Sequence, residues 1–377
     1  AGTFNGMTQA NLQAFFTNYI ELGTAQPVVF WLICLVINTF ILSRGISGGV
    51  EKVAKIGMPL LLLFGVILAV TGITLEAKPG GAINDGLVGL NYLWSPDFSS
   101  IWSFKVWVAA AGQIFFTLSL GMGSIHCYAS YLNAKEDIAL NAMTAGWMNE
   151  FVEVVLGSAI IIPISVGFLG IDAISKMVSG GSGLGIGFAV LPQLFSSWGW
   201  FGTLSGLMWF GLLFFAGITS SMAMGTPLIG FMRDNFSWKD KQGAYLFGAL
   251  IFVFGIPTVL SQDAFNEYDY WAGTVSLVVF AMVEIVLFAW VLGMDKAWDE
   301  ITRGADIKVP LIFKYVIKYV SPVFLIIVFV GALPDIIKNA TAPTSFYGWL
   351  GRAMLLILFI GIAVLVSVAK RKQLKSK

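Results

Sequence analysis

Nine uncharged, predominantly apolar runs constrain what this chain can fold into. They cover residues 27–43, 56–75, 106–133, 154–171, 199–232, 242–262, 271–292, 319–334 and 353–369. A helix rises 1.5 Å per residue, so about 20 apolar residues cross the hydrocarbon of a bilayer. Only 11% of the 377 residues are charged, whereas a soluble domain carries about 25%. A water-facing surface cannot be built from such a composition. The expected fold is an all-α integral membrane protein with about nine spans. Glu284 interrupts the seventh run, and the third and fifth are long enough to contain a break or a tilt.

The basic residues give an independent check on this count. With the N-terminus outside, Arg44, Lys52, Lys55, Lys135, Arg233, Lys239, Lys241, Lys296, Arg303, Lys308, Lys314 and Lys318 fall on the cytoplasmic side. Lys370, Arg371, Lys372, Lys375 and Lys377 of the tail join them. Only Lys78, Lys105, Lys176, Lys338 and Arg352 lie outside, so 17 basic residues face 5. This is the asymmetry of the positive-inside rule, and a count wrong by one span would scramble it. The chain is therefore expected to be a multi-pass protein of the cell membrane with a cytoplasmic C-terminus.

Several functions are disfavoured by what the chain contains. A net charge of +1 gives no reason to expect a nucleic-acid partner. Cys34 and Cys127 both lie in apolar runs, and the single histidine, His126, has no His or Cys at ligand spacing, so neither a disulfide framework nor a zinc site is expected. The glycine-rich run at 179–187 lacks the Lys-Ser/Thr of a phosphate-binding loop. With its glycines it suits a short capping or re-entrant hairpin before the fifth span better than a helix. The sequence begins Ala-Gly-Thr, without Met or a signal-peptide pattern, and reads as a fragment or a processed piece.

Three spans carry candidate chemistry. In the third, Gly121 and Gly123 flank Met122 just after Thr117 and Ser119. Interior glycine weakens a helix by about 1 kcal/mol relative to Ala. An unwound turn within the membrane would expose carbonyls to a cation and N–H groups to an anion; glycines also let helices pack closely, and the segment alone leaves both readings open. The fifth span places Thr219, Ser220 and Ser221 within apolar sequence. Their hydroxyls can bond the preceding turn or contribute oxygens to a cation site. The fourth span holds Asn149, Glu150 and Glu153, of which Glu153 lies deeper; an ionisable group inside a membrane is a functional candidate. Glu284 is read as a structural hydrogen-bonding group, and His126 as packed or hydrogen-bonded.

Taken together, these segments resemble the neurotransmitter:sodium symporter family, in particular its bacterial amino-acid transporters. The resemblance rests on 112–123 (GQIFFTLSLGMG), 128–131 (YASY), Asn149-Glu150 with Glu153, 216–221 (AGITSS), 269–273 (DYWAG) and 295–298 (DKAW). It implies two inverted five-helix repeats and two accessory helices, with a broken helix at the binding site. On that plan the first three helices are absent. Residues 1–75 end the first repeat, 104–294 form the second, 311–369 are the accessory helices and 370–377 are the cytoplasmic tail.

The resemblance also implies roles for individual residues. Thr117 and Asn149 match ligands of a first sodium site; the Ala216 carbonyl, Thr219 and Ser220 match those of a second. Phe116, Thr117, Ser119, Met122, Ser220 and Met224 would line the substrate pocket, with Phe116 also closing its outer side. Asp269 matches an outer-gate acid, and Asp234 with Tyr131 an inner gate, their basic partners belonging to the first helix. Glu153 stands where chloride-dependent relatives have Ser, which implies chloride independence and possible proton antiport, with Gln113 as its neighbour. Met122, where some relatives have Phe, adapts to irregular shapes and favours large apolar amino acids. Sodium-coupled symport by alternating access is the expected function, with sodium, an amino acid and lipid as partners and no organic cofactor. A membrane enzyme would need a nucleophile–base pair or metal cluster, which the sequence does not offer. A receptor or scaffold on the same fold is disfavoured by the intact Thr117, Asn149, Thr219 and Ser220 set. Without its complement, the chain by itself is expected to bind neither sodium nor substrate appreciably.

Overall fold

The computed structural model describes residues 11, 14–15, 25–79, 81–96, 98–102, 104–133, 135–179, 186–196 and 198–375, and among them no strand occurs. The helices are α1 (Ala25–Leu42), α2 (Ile46–Ile73), α3 (Gly86–Trp94), α4 (Phe104–Thr117), α5 (Ser124–Ala129), α6 (Ile138–Leu169) and α7 (Ile171–Ser179). They continue as α8 (Leu191–Ser196), α9 (Gly199–Phe236), α10 (Asp240–Leu260), α11 (Gln262–Val291), α12 (Met294–Thr302), α13 (Ile312–Thr341) and α14 (Phe346–Lys375). Eight of these, α1, α2, α6, α9, α10, α11, α13 and α14, are long and apolar enough to cross a membrane.

The ninth expected span, at 106–133, is split into α4 and α5 and contains no helix of that length. This accounts for the difference in count and settles the third span as a broken helix. The fifth run, by contrast, is one continuous helix of 38 residues that includes Pro227. Most of the glycine-rich run lies at 180–185, outside the described residues.

Several helices begin well before the uncharged runs do. Helix α6 starts at Ile138, so Asn149, Glu150 and Glu153 lie near its middle rather than at its entry. Helix α11 starts at Gln262 and includes Asp263, Glu267 and Asp269. An uncharged run marks the stretch that lipid demands; hydrogen bonding carries a helix on through the interface, where charged side chains reach water.

The helices fall into two compact units. The first is formed by described residues of Ala1–Cys34, Arg44–Asp97 and Glu150–Met222. Its core joins Leu68 and Ala69 of α2, Leu156, Ile160 and Ile164 of α6, Leu191 and Phe195 of α8, and Met208 and Trp209 of α9. The Trp209 indole donates to the Gly187 carbonyl at 2.9 Å, which gives its buried N–H a partner. The segment before α3 is tied to the end of α6: the amides of Ile83 and Asn84 donate to the Gly167 carbonyl at 2.7 and 2.9 Å.

The second unit comprises described residues of Leu35–Ser43, Phe98–Asn149 and Ala223–Lys377. Ala111 and Phe115 of α4, Val278 and Ala281 of α11, and Leu325 and Val328 of α13 form one core cluster in it. Gly351 brings α14 against Ala264 and Tyr268 of α11, and the Tyr268 hydroxyl donates to the Phe254 carbonyl of α10 at 2.9 Å. The broken helix therefore has its first half, α4, anchored on α11 and α13.

Candidate binding site at the broken helix

The break has its cause in three positive-φ residues. Ser119, Gly121 and Gly123 have φ of 54°, 78° and 77°, the left-handed region that ends right-handed helices and that glycine enters without steric cost. The amides of Leu118, Ser119 and Leu120 still find the carbonyls of Ile114, Phe116 and Phe115. The Gly121 amide leaves the ladder and donates instead to Glu284 Oε2 of α11 at 3.2 Å. A Cβ on Gly121 would lie 2.7 Å from the Leu277 carbonyl oxygen, so the break is seated directly on the α11 backbone. The other Glu284 oxygen, Oε1, lies 3.6 Å from His126 Nδ1 on α5. One carboxylate thus bonds the break and lies beside α5, the half-helix that follows it. Sequence reasoning assigned Glu284 and His126 hydrogen-bonding roles but did not pair them.

At the end of α4, Thr117 meets Asn149 of α6. The Asn149 amide donates to Thr117 Oγ1 at 2.9 Å, with Asn149 Oδ1 3.3 Å from the same hydroxyl. The structure so brings together the two residues expected at a first sodium site. Phe116, also at this end, is exposed, whereas Ser119 and Met122 in the break are half-buried. Gln113 lies one turn before Thr117 on α4, and Met224 is an exposed residue of α9 in the same unit.

In the first unit, the Thr219 hydroxyl donates to the Phe215 carbonyl at 2.8 Å and approaches the Ala216 carbonyl oxygen at 3.1 Å. Bonding to the preceding turn and the presence of adjacent oxygens are therefore features of one geometry. Ser220 follows as an exposed residue, and Glu153 is half-buried on α6, one turn beyond Asn149. The Thr219 and Ser220 hydroxyls and the Ala216 carbonyl are neutral oxygen donors.

Two further clusters in the second unit carry charged residues. Near the start of α11, Arg352 donates to both oxygens of Glu267 at 2.8 Å, with side chains only 15% and 13% exposed. The Trp271 indole adds a third bond to Glu267 at 2.8 Å. Asp269 shares with this pair and Asn339 a polar recess of about 360 Å³. In the other cluster, Arg233 donates to the Tyr131 hydroxyl and to Asp234 Oδ1 at 3.1 Å. Asp234 and Tyr131 are thereby connected through a residue that sequence reasoning counted only as a cytoplasmic charge. Neither pairing was foreseen; the one available signal was that Arg352 and Glu267 are charges bordering apolar runs.

A model of the sodium:neurotransmitter symporter family matches residues 16–377. The chain belongs to that family. Among its relatives is a sodium-dependent transporter of Methanocaldococcus jannaschii, 32% identical over 346 residues, an alignment covering 89% of this chain and 66% of the relative. A sodium-dependent nutrient amino acid transporter of Drosophila persimilis is 26% identical, with 94% of this chain and 55% of the relative covered. The chain so spans between about half and two thirds of the length of these two family members. The crystal structure of MhsT in complex with L-phenylalanine matches with a TM-score of 0.74 and 26% identity, over 88% of this chain and 73% of that one. This family fold is the all-helical architecture expected from the sequence.

Proposed function

We propose that the protein of which this chain forms the whole or a part is a sodium-coupled amino-acid symporter working by alternating access. The observation that carries this reading is the break at 118–123, flanked by the Thr117–Asn149 pair. A helix interrupted inside a membrane offers carbonyls to a cation and N–H groups to a carboxylate at the same depth. Thr117 and Asn149 supply neutral oxygens for one sodium ion, and the Ala216 carbonyl, Thr219 and Ser220 supply them for a second. By the family resemblance, Phe116, Ser119, Met122 and Met224 of the second unit and Ser220 of the first are assigned to the substrate, and the apolar Phe116, Met122 and Met224 favour a large apolar amino acid. The MhsT complex with L-phenylalanine supports that substrate class. Glu153 provides the negative charge beside the first ion, so transport is chloride-independent, and its protonation on the return step gives proton antiport. Asp269 closes the outer side, and Tyr131 with Asp234 the inner side.

The decisive experiment reconstitutes the intact protein in liposomes and measures uptake of labelled phenylalanine and leucine under an imposed sodium gradient. Saturable uptake that collapses when potassium replaces sodium is expected. Uptake that is unchanged without sodium overturns the reading.

A further inference from the structure

We propose that the last two turns of α14, together with the start of α10, form a binding surface for the phosphate headgroups of anionic phospholipids. This goes beyond the transport reading above and needs only that α14 crosses a bilayer.

The depth of the basic residues follows from the helix itself. Helix α14 runs unbroken through 30 residues, a rise of about 45 Å, which matches a hydrocarbon core with its headgroup layers. Arg352, near its start, is held by Glu267. Lys370 follows 18 positions later, about 27 Å along the axis. That interval is close to the roughly 30 Å of hydrocarbon, and no charged residue interrupts it. Lys370, Arg371, Lys372 and Lys375 therefore emerge at headgroup depth, where long cationic side chains reach phosphate.

One side of this end is docked. Ala369 is buried, the Lys372 ammonium lies 5.4 Å from the centre of the Phe236 ring of α9, and the Gln373 amide donates to Asn235 Oδ1 at 2.9 Å. The opposite side carries Leu356, Ile360 and Val364, four residues apart and each more than half exposed. At helical spacing this stripe continues into Arg371 and Lys375, both exposed. An apolar stripe open to lipid thus ends in two cations.

The bond to Asn235 also brings in the turn between α9 and α10. Trp238, Lys239 and Lys241 follow Asn235 within six positions; both lysines are exposed, and Trp suits the interface between lipid and water. Among the described residues, none of Lys239, Lys241, Lys370, Arg371, Lys372 and Lys375 has a carboxylate within ion-pair distance. The acids of this turn, Asp234 and Asp240, both lie beside Arg233. Cations without acidic partners at headgroup depth favour a lipid of net negative charge over a zwitterionic one, by roughly fivefold in binding for each. Arg371 adds a planar fork that fits two oxygens of one phosphodiester. In the orientation expected from the charge pattern, this end meets the cytoplasmic leaflet, whose surface is negative.

The test titrates the intact protein, purified in a non-ionic detergent, with phosphatidylglycerol or phosphatidylcholine and follows bound lipid by native mass spectrometry. The wild type is expected to retain phosphatidylglycerol at least tenfold more tightly, on the order of fivefold per engaged cation. The triple variant Lys370→Gln, Arg371→Gln, Lys375→Gln should lose most of that preference. A control that removes as many cations elsewhere, Lys52→Gln, Lys296→Gln, Lys308→Gln, should keep it. Lys239→Gln with Lys241→Gln lies on a different helix, is expected to lose part of the preference, and decides the matter if the triple variant fails to fold. Equal retention of the two lipids by the wild type, or equal losses in the triple variant and the control, overturns the surface. Displacement of phosphatidylglycerol by millimolar inorganic phosphate would mark a site for the free anion and overturn the lipid assignment. Retention is read without uptake, so a failure of the transport reading leaves the lipid surface standing, and the reverse.

Discussion

The Glu284 carboxylate accepts the Gly121 amide through Oε2 at 3.2 Å while its Oε1 lies 3.6 Å from His126 Nδ1. The side chain is 31% exposed, and the amide it serves is one that the broken helix has released. Leaving such a group without a partner costs about 1–3 kcal/mol. Glu284→Leu is expected to lower stability by that amount and to lose sodium-dependent uptake, whereas Glu284→Gln, which keeps an acceptor oxygen, retains most of both. Melting curves in detergent and uptake assays on the two variants check this. Equal damage from both would show that the charge, and not the acceptor, matters.

Gly121 and Gly123 share a left-handed backbone but not the same surroundings. A side chain at either costs about 1–2 kcal/mol for the conformation alone. At Gly121 a Cβ would also press on the Leu277 carbonyl oxygen at 2.7 Å, whereas at Gly123 the nearest atoms belong to Pro227 at 3.7 Å. Gly121→Ala should therefore destabilise clearly more than Gly123→Ala, measured as the shift of the melting transition. Indistinguishable shifts would contradict the seating of the break on α11.

Legibility in the sequence followed the range of the interaction involved. Hydropathy is local, so all eight continuous spans appeared as uncharged runs, and the two glycines around Met122 marked the segment that breaks. Helix beginnings were hidden, because Lys52 and Lys55 of α2 and Asp263, Glu267 and Asp269 of α11 lie within helices but outside the apolar runs. Thr117 and Asn149 were brought together by resemblance alone, since nothing in their own segments pairs them. The contacts from Glu284 to Gly121, Arg233 to Tyr131 and Arg352 to Glu267 bridge 163, 102 and 85 positions. Such pairs depend on how helices stack, which no residue pattern in one segment encodes.

Asp137 joins the start of α6 to the loop after α12. Its Oδ1 accepts the Leu140 amide at 2.8 Å at the start of α6, and its Oδ2 accepts the Asp306 amide at 2.8 Å. These backbone bonds, that of Leu140 foremost, hold its carboxyl below the usual carboxylate range. A carboxylate depressed in the folded state adds stability above its unfolded pKa of about 3.9 and loses it as pH falls through the folded value. Asp137→Asn should thus melt below the wild type at neutral pH, with the gap narrowing once pH drops below about 4. A gap that stays constant into acid would mean that the ionised form contributes nothing.

Glu153 tests the source of the negative charge beside the first ion. It lies one turn past Asn149 on α6 and is half-buried, and in the proposed function its carboxylate replaces an external anion. Glu153→Ser removes that charge while leaving Thr117 and Asn149 in place. Sodium-coupled uptake by the variant should then require chloride, falling on the order of tenfold when gluconate replaces it, which corresponds to ~1.4 kcal/mol of lost ion stabilisation. The wild type should be indifferent to the exchange. The variant should also lose any stimulation by an outward proton gradient, because the group that would carry the proton is gone. Chloride-insensitive uptake by Glu153→Ser would remove Glu153 from the ion site and with it the proton-antiport step.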